Sequence, residues 1–454
     1  MGSNYVLAAL YSTYKTLKIH FDIKHINLLN NFFETCCNKF LHSYGVGFAN
    51  RKNYLKFNKM QTRLLSQFRN SNFFNNSEIY LDSGGFQISI GLLNEKEGDE
   101  LLKLYYDFLI QQEENYEKAF ILDYPPGPGC KIFENFDDVY RKNILSYQKA
   151  LQLPKNVTDK MIYVHHFRTP KIWEISNKIL DSCDEMFLRF NYFATGGIVA
   201  NLRGDFDIPC LMYILPLVVL LNRCKKFNRK KLNFHILGGA HFRDILFYEL
   251  IKIHVKKFHN IDLEITYDSS GVFKNFFIGR RTFILIENEF LIDSIRVDTN
   301  SLMKKYGNKT YEEIFIESVN NCILKFGFEK LNLNSIYDKK TNKFFDEMRV
   351  PFLLFALYIY KVVEDYCKVI AKNSYYLYEN DEIQIFHKMC LEELKKLSGG
   401  KITRKQYFKT YRLGPSLKIL ENLDEELCEN LVNNYLIKDE FHSLSYNESG
   451  IVRF

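Results

Sequence analysis

Short apolar runs that end in a polar residue or a glycine alternate with amphipathic stretches from about residue 77 to residue 286. Their polar ends follow one another at intervals of about 30 or about 40 residues, the length of one strand–loop–helix–loop unit. Strands that alternate with helices predict a parallel sheet. The runs are residues 77–86 (SEIYLDSGGF), 118–127 (KAFILDYPPG), 160–167 (KMIYVHHF), 185–197 (EMFLRFNYFATGG), 231–240 (KLNFHILGGA) and 263–271 (LEITYDSSG).

The continuous apolar character of these runs favours a barrel over an open sheet. Almost continuous apolar strands are typical of strands buried on both faces. No G-x-G-x-x-G follows the first strand, which weakens the dinucleotide-binding alternative. We therefore predict an α/β fold, a (β/α)8 TIM-type barrel with a helical C-terminal extension. Reactive residues of such barrels lie where the strands end, and these ends carry Asp, His and Gly.

Three further segments bear on the barrel. Residues 5–13 (YVLAALYST) are a candidate first strand, and residues 25–45 have helical periodicity that is closed by Gly45. Residues 281–287 (RTFILIE) are a candidate for one more strand.

Beyond about residue 298 the pattern changes to long helices, at residues 309–327, 349–373 and 381–400. We divide the chain into a catalytic barrel of residues 1–300 and a mainly helical region of residues 301–454. That region could complete the barrel and then extend beyond it, and it is a candidate nucleic-acid-binding part.

Composition and charge constrain the fold and the partners less than the pattern of strands and helices does. The 454 residues exceed one ordinary domain, and the net charge of +7 is compatible with a polyanionic partner without proving one. The ten cysteines are scattered without any C-x-x-C, so we expect reduced thiols and a cytoplasmic protein, in the host cytoplasm if the source is viral. The most apolar stretch, residues 210–221, is too short to cross a bilayer and contains Pro216, so we expect a buried helix and no membrane partner.

The segment from Asp82 to Gln87 (DSGGFQ) carries the first candidate chemistry. An aspartate at a strand end followed by two glycines lets the backbone approach a flat ligand closely, because glycine has no Cβ. The alternative is a tight strand-to-helix turn in which Ser83 caps the next helix. On the residues alone the two interpretations are about equally good.

This segment resembles the signature of the tRNA-guanine transglycosylase family, and further segments follow in that family's order. In residues 266–271 (TYDSSG), a serine follows the aspartate, as it does in the archaeal-style version of the family's motif. The resemblance covers about residues 77–285, roughly half of the chain. The further segments are residues 121–129 (ILDYPPGPG), 194–201 (ATGGIVAN), 235–239 (HILGG) and 266–271 (TYDSSG).

The resemblance implies a role for each matching residue and no cofactor. Asp268 would be the nucleophile at C1′ and Asp82 the general acid/base of a retaining double displacement. Asp123 would accept hydrogen bonds from the N1–H and amine of guanine. Apart from the resemblance, Asp123 is also typical of a turn before Pro125, and Asp268 of a helix N-cap. The base would be lined by Ser83, Gly84, Phe86, His165, Gly196 and Gly197.

Two departures from the family pattern change the expected substrate. His165 and His166 stand where the family has a Gln-Gly pair that contacts the base, and neighbours on a strand point to opposite faces. The family's structural zinc site has three closely spaced cysteines and a histidine after the nucleophile, whereas the cysteines beyond Asp268 are 23 to 45 residues apart. We therefore expect no bound metal, and the loss of this unit argues against tRNA.

Basic residues supply a candidate surface for a polymer. Residues 399–414 (GGKITRKQYFKTYRLG) interleave basic with aromatic side chains, a combination that neutralises phosphates and stacks on bases. Residues 224–231 (CKKFNRKK) add positive charge near barrel loops. The alternative for each segment is a solvated face. The candidate nucleic-acid-binding residues are Arg280, Arg281, Arg404, Lys405, Lys409 and Arg412.

These departures, with a composition that is typical of an AT-rich coding genome, favour the branch of the superfamily that acts on DNA in phages and bacteria. We expect a DNA-guanine transglycosylase that exchanges guanine for a 7-deazaguanine base, such as 7-cyano-7-deazaguanine, after flipping the nucleotide out of the duplex. Its partners would be DNA and the free base. Two alternatives stay open: a zinc-less tRNA-guanine transglycosylase, and a non-catalytic barrel that binds nucleic acid.

Overall fold

Eight parallel strands close into a barrel in sequence order in a computed structural model of the chain, and β8 pairs back onto β1. The predicted (β/α)8 fold class is therefore confirmed. The barrel strands are β1 Tyr5–Leu7, β2 Lys39–Ser43, β3 Glu78–Asp82, β4 Lys118–Phe120, β5 Met161–His166, β6 Tyr192–Gly196, β7 Lys231–Ile236 and β8 Asp262–Ser269.

The structure describes most of the chain, but not all of it. The described residues are 3–8, 10–20, 25–45, 48, 53–74, 76–89, 91–125, 135–166, 170–182, 184–196, 211–269, 281–286, 290–296, 304–306, 309–331, 337–338, 343–344, 348–399, 402–405, 407 and 413–435.

Helices surround the barrel and continue beyond it. They are α1 Leu10–His20, α2 Ile26–Cys36, α3 Tyr54–Arg69, α4 Gly85–Ser89, α5 Glu95–Gln111, α6 Phe136–Leu151, α7 Lys155–Thr158, α8 Pro170–Ser182, α9 Asp184–Arg189, α10 Leu211–Lys226, α11 Phe242–His259, α12 Tyr311–Lys325, α13 Arg349–Glu379, α14 Ile383–Leu397, α15 Leu413–Asn422 and α16 Glu425–Tyr435.

Local sequence explains where several of these helices begin. The Asn94 side chain accepts from the backbone N–H of Glu97, and the Glu97 side chain accepts from the backbone N–H of Asn94, which caps the first turn of α5. Thr310 and Glu313 make the same reciprocal pair before α12. These caps satisfy backbone donors that a helix start leaves without partners.

The barrel interior is a small apolar layer of its own. Successive residues on a strand point to opposite faces, so one set of strand residues faces inward and the other packs under the helices. The inward set places Tyr80 below Asp82, and Val164 below His166. The inner layer consists of Val6, Leu41, Tyr80, Phe120, Ile162, Val164 and Ala194.

The structure corrects three predictions at the edges of the barrel. The strand predicted at residues 5–13 is present only as β1, since helix α1 begins at Leu10. The predicted helix of residues 25–45 ends at Cys36, and strand β2 follows it. The candidate strand at residues 281–287 does not join the barrel. It forms β9 Arg281–Ile286, which pairs in antiparallel fashion with β10 Leu291–Arg296.

The predicted C-terminal helices are present, and the longest of them completes the barrel. Helix α13 packs against α11, α1 and α2. Its Glu364 is fully buried and accepts hydrogen bonds from Ser3 Oγ (2.8 Å), from the backbone N–H of Asn4 and from the Tyr267 hydroxyl. Because α13 ties β8 to β1 in this way, the barrel needs chain from beyond residue 300.

The most apolar stretch of the sequence is a buried helix, as predicted. It forms α10, which keeps Pro216 within it. Across the described part of the chain, none of the helices combines the length and the apolar character that crossing a membrane requires.

Short two-stranded hairpins follow the barrel. Besides β9 and β10, they are β11 Lys304–Tyr306 with β12 Lys309–Thr310, and β13 Tyr337–Asp338 with β14 Lys343–Phe344.

Candidate active site

Three aspartates meet at the carboxyl end of the barrel. Asp82 ends β3, Asp123 follows β4 by three residues, and Asp268 is the penultimate residue of β8. All strands of a parallel barrel end at the same face, so side chains at these positions converge on its mouth. The negative charges of Asp123 and Asp268 both act on the Asp82 carboxyl.

The Asp82 carboxyl is set up to exchange a proton near neutral pH. Burial raises its pKa to about 6, and the nearby charges of Asp123 and Asp268 add to this rise. Two hydrogen bonds oppose it: Ser43 Oγ donates to Oδ2 (2.5 Å), and the Gly84 N–H donates to Oδ1 (3.3 Å). Ser43 lies directly opposite Asp82 in the β2–β3 register.

The Asp123 carboxylate is held by a histidine. It is 7 % exposed, and its Oδ2 is 2.6 Å from His166 Nε2. Its Oδ1 is 3.5 Å from Ser83 Oγ, at the limit of a hydrogen bond. His166 also borders Gly196, since a Cβ on Gly196 would lie 2.8 Å from His166 Cε1. Asp123, Ser83, His166 and Gly196 therefore form one continuous surface.

The histidine that faces the site is His166, and the assignment of His165 to the base is wrong. The His165 ring is fully buried behind the barrel, where Nε2 is 2.9 Å from Asn177 Oδ1 and the ring packs edge-on against Trp173, both on α8. Burial lowers the pKa of His165 to about 4. Neighbouring strand residues point to opposite faces, so His166 points inward.

The two glycines after Asp82 are required by the protein's own packing. Gly84 has φ +106°, and a Cβ on Gly45 would lie 2.4 Å from Gly84 Cα. A Cβ on Gly85 would lie 2.3 Å from Asp123 Oδ1. These glycines let the ends of β2, β3 and β4 come together, and this closeness brings Asp82 near Asp123.

Asp268 is oriented by strand β7 and the turn that follows it. The N–H of Gly238, which has φ +78°, donates to Asp268 Oδ1 (2.7 Å). His235 Nε2 lies 3.4 Å from the same oxygen. Asp268 is 8 % exposed, so its carboxylate is fixed in a mostly buried position at the mouth.

The structure describes only part of the predicted nucleic-acid surface. Arg404 and Lys405 are exposed, whereas Tyr407 is buried and lies 2.9 Å from His387 Nδ1 through its hydroxyl. Tyr407 is therefore not available for stacking on a base. Gly197, Arg280, Lys409, Arg412 and the side chains of Phe86 and Arg281 lie outside the described residues.

The basic segment at residues 224–231 lies away from the site. Its last residue, Lys231, begins β7 and pairs with Glu264 (3.2 Å), so the segment is at the amino-terminal end of the barrel. Its Arg229 donates to the backbone carbonyls of Phe190 and Phe187. The segment therefore adds its positive charge near loops at the amino-terminal end of the barrel, away from the mouth that holds the three aspartates.

Sequence reasoning missed three residues that hold the carboxylates: Ser43, Gly238 and His235. Gly238 and His235 lie inside the segment of residues 235–239. The sequence alone does not show which residues of β7 face the barrel interior, and that knowledge would have indicated His235. Within the described ranges no three His, Cys, Asp or Glu side chains are grouped so that they could hold a metal ion.

The arrangement combines two unlike carboxylates with a third, histidine-bound one. Asp82 can carry a proton near neutral pH, and Asp268 offers a carboxylate at a fixed position, which is the pairing that acid catalysis with a nucleophile needs. Comparison with known proteins adds no assignment: no protein-family model matches the chain, and no curated protein shows significant similarity to it.

Proposed function

We propose that the chain is a guanine transglycosylase that exchanges guanine in DNA for a 7-deazaguanine base. The observation that carries the proposal is the convergence of Asp82, Asp123 and Asp268 at one barrel mouth, in different surroundings. These are the three residues to which the family resemblance assigns acid/base, recognition and nucleophilic roles. A barrel that only bound nucleic acid would have no need for a carboxyl poised to exchange a proton.

In the first half-reaction a carboxylate oxygen of Asp268 attacks C1′ of a flipped nucleotide. The bond between C1′ and the guanine N9 breaks, and protonated Asp82 gives its proton to the departing purine. In the second half-reaction, N9 of the incoming base attacks C1′. The ester to Asp268 breaks, the carboxylate is released, and Asp82 takes the proton from N9. No oxidant, reductant or cofactor is required.

The surface formed by Asp123 and His166 would read the base. Asp123 accepts hydrogen bonds, which suits the N1–H and the amine of guanine. His166 contacts the Asp123 carboxylate and borders Gly196, so these three residues would line the same side of the base pocket. This arrangement favours a 6-oxopurine over adenine, which lacks N1–H.

DNA is favoured over tRNA by features of the sequence. The cysteines after Asp268 are too far apart for the zinc unit of the tRNA enzymes, and the C-terminal region is helical. A specific nucleic-acid interface buries about 1,000 Å² or more of protein surface, and contacts with a single flipped nucleotide bury less than this. The C-terminal helices are the part of the chain that could add this area.

The test is transfer of label from free guanine to a polymer. The protein is incubated with radiolabelled guanine and either duplex DNA or bulk tRNA, and acid-insoluble label is counted. We expect label in DNA. Label in tRNA alone would overturn DNA as the substrate in favour of the tRNA alternative, and label in neither polymer would contradict transglycosylation of guanine.

A further inference from the structure

A histidine lies inside the barrel directly below the proposed nucleophile. His235 is on β7, is 3 % exposed, and packs among the rings of the inner layer, with centroids 5.2 Å from Phe120 and 6.2 Å from Tyr80. Burying a polar ring among aromatic side chains costs free energy unless its nitrogens find partners. Its two nitrogens therefore indicate what the residue is for.

One nitrogen of His235 is held by a threonine of the neighbouring strand. Nδ1 is 2.9 Å from Thr266 Oγ1, and the two residues are opposite each other in the β7–β8 register. Thr266 is two residues before Asp268, on the same inward face of β8. The contact fixes the plane of the imidazole relative to the strand that carries Asp268.

The other nitrogen faces the nucleophile. His235 Nε2 is buried, makes no hydrogen bond within the described residues, and lies 3.4 Å from Asp268 Oδ1. A carboxylate can only accept, so it favours the tautomer with the proton on Nε2, and the Thr266 hydroxyl then donates to Nδ1. At 3.4 Å the contact is long for a hydrogen bond, and catalytic contacts of this kind often shorten when the substrate is bound.

We infer that His235 is a positioning residue that acts through Asp268 and speeds the release of its carboxylate from the glycosyl ester. The inference rests on the proposed function. Together, the Gly238 N–H at 2.7 Å and His235 Nε2 engage Oδ1, which leaves Oδ2 to bond to C1′. In the ester, Oδ1 is a neutral carbonyl oxygen. When the incoming base breaks the ester bond, negative charge returns to the carboxylate beside both donors.

This charge change decides which half-reaction His235 favours. A donor binds a carboxylate more strongly than an ester carbonyl, because hydrogen bonds to charged groups are the stronger ones. The contact therefore stabilises free Asp268 relative to the covalent intermediate. Without it, the ester is released more slowly and a larger share of the enzyme stays bound to DNA.

The experiment measures the share of protein in a covalent complex with DNA during steady-state exchange, by denaturing gel electrophoresis, together with the rate of exchange. In His235→Asn, whose shorter amide does not reach Asp268, we expect the covalent share to rise and turnover to fall by about ten-fold or more. In His235→Gln, whose amide nitrogen can replace Nε2, both should stay near wild type. Thr266→Val should change them in the same direction as His235→Asn.

Two controls separate this role from a packing role. Lys231→Ala, on the same strand at the opposite end of the barrel, should leave both quantities unchanged. Thermal unfolding of each variant shows whether it is folded, and Thr266→Val replaces a side chain by one of the same shape.

Two results would overturn the inference: a wild-type covalent share in both His235→Asn and Thr266→Val, or equal impairment of His235→Gln and His235→Asn. The absence of any covalent complex with the wild-type protein would instead count against the proposed function itself.

Discussion

At the scale of single residues, Asp82 lies in a mouth that already holds two other carboxylates, and burial raises its pKa to about 6. In the proposed mechanism, adduct formation requires the protonated form of Asp82. The rate of that step should therefore be high below pH 6 and fall as the pH rises through about 6.

Ser43 sets where this fall occurs. Its hydroxyl donates to Asp82 Oδ2 and so favours the carboxylate, which lowers the pKa of Asp82. Ser43→Ala removes that bond, so the pH–rate profile of single-turnover adduct formation should move to higher pH by about one unit. Ser43→Thr keeps the hydroxyl and should leave the profile in place. A profile that does not move in Ser43→Ala would show that Asp82 is not the acid.

The sequence predicted the aspartates at the strand ends but not which histidine faces them. On β5 the inward residues Ile162 and Val164 and the outward residues Met161 and Tyr163 are all apolar, because a barrel strand is buried on both faces. No alternation of polar and apolar residues marks the phase of such a strand. The choice between His165 and His166 therefore depends on the neighbouring strands.

At the scale of elements, α13 is the helix on which closure of the barrel depends. Glu364→Ala would leave the buried hydroxyls of Ser3 and Tyr267 and the N–H of Asn4 without their acceptor. We expect a loss in the free energy of unfolding on the order of 3 kcal/mol or more, measured by urea denaturation followed by circular dichroism.

The adjacent Asp365 supplies the matched control. Its side chain is 54 % exposed and pairs with Lys361 within α13, so Asp365→Ala should cost less than about 1 kcal/mol. Equal unfolding midpoints for Glu364→Ala and the wild-type protein would show that α13 does not hold β1 and β8 together.

Element boundaries were predictable only where a polar break occurs. Helix α2 and strand β2 are separated by Cys37 and Asn38 alone, so the apolar pattern runs from one into the other. The sequence indicated that the C-terminal region could complete the barrel, but not which helix does so, because three two-stranded hairpins and helix α12 separate α13 from β8 in the described part of the chain. The contacts of α13 with α1 and α2 join segments that lie far apart in the sequence.

At the scale of the whole molecule, the C-terminal basic segment is the candidate for binding a polymer. Replacing Arg404, Lys405, Lys409 and Arg412 together by Ala should weaken DNA binding and reduce its salt dependence, by about one unit of log–log slope for each phosphate that the variant no longer neutralises. Exchange at saturating DNA should fall much less, because the three aspartates are unchanged. Binding is measured at two salt concentrations.

Four lysines at the amino-terminal end of the barrel provide a control variant that loses the same number of positive charges. The exposed Lys225, Lys226, Lys230 and Lys231 precede or begin β7, away from the mouth. Their joint replacement by Ala removes the same four charges and should change DNA binding less than the first variant does. If the two variants bind DNA equally well, the C-terminal segment is a solvated face.

The most direct test of the proposed function is to identify the residue that becomes bonded to DNA. Wild-type protein with labelled duplex DNA should give a complex that survives denaturation, with the label on the peptide that contains Asp268. Asp268→Asn should give no complex and lower exchange by about 10⁴-fold or more, whereas Asp262→Asn, exposed at the start of β8, should behave as wild type. A covalent complex that persists in Asp268→Asn, or exchange that continues at a wild-type rate, would contradict the assignment of Asp268 as the nucleophile.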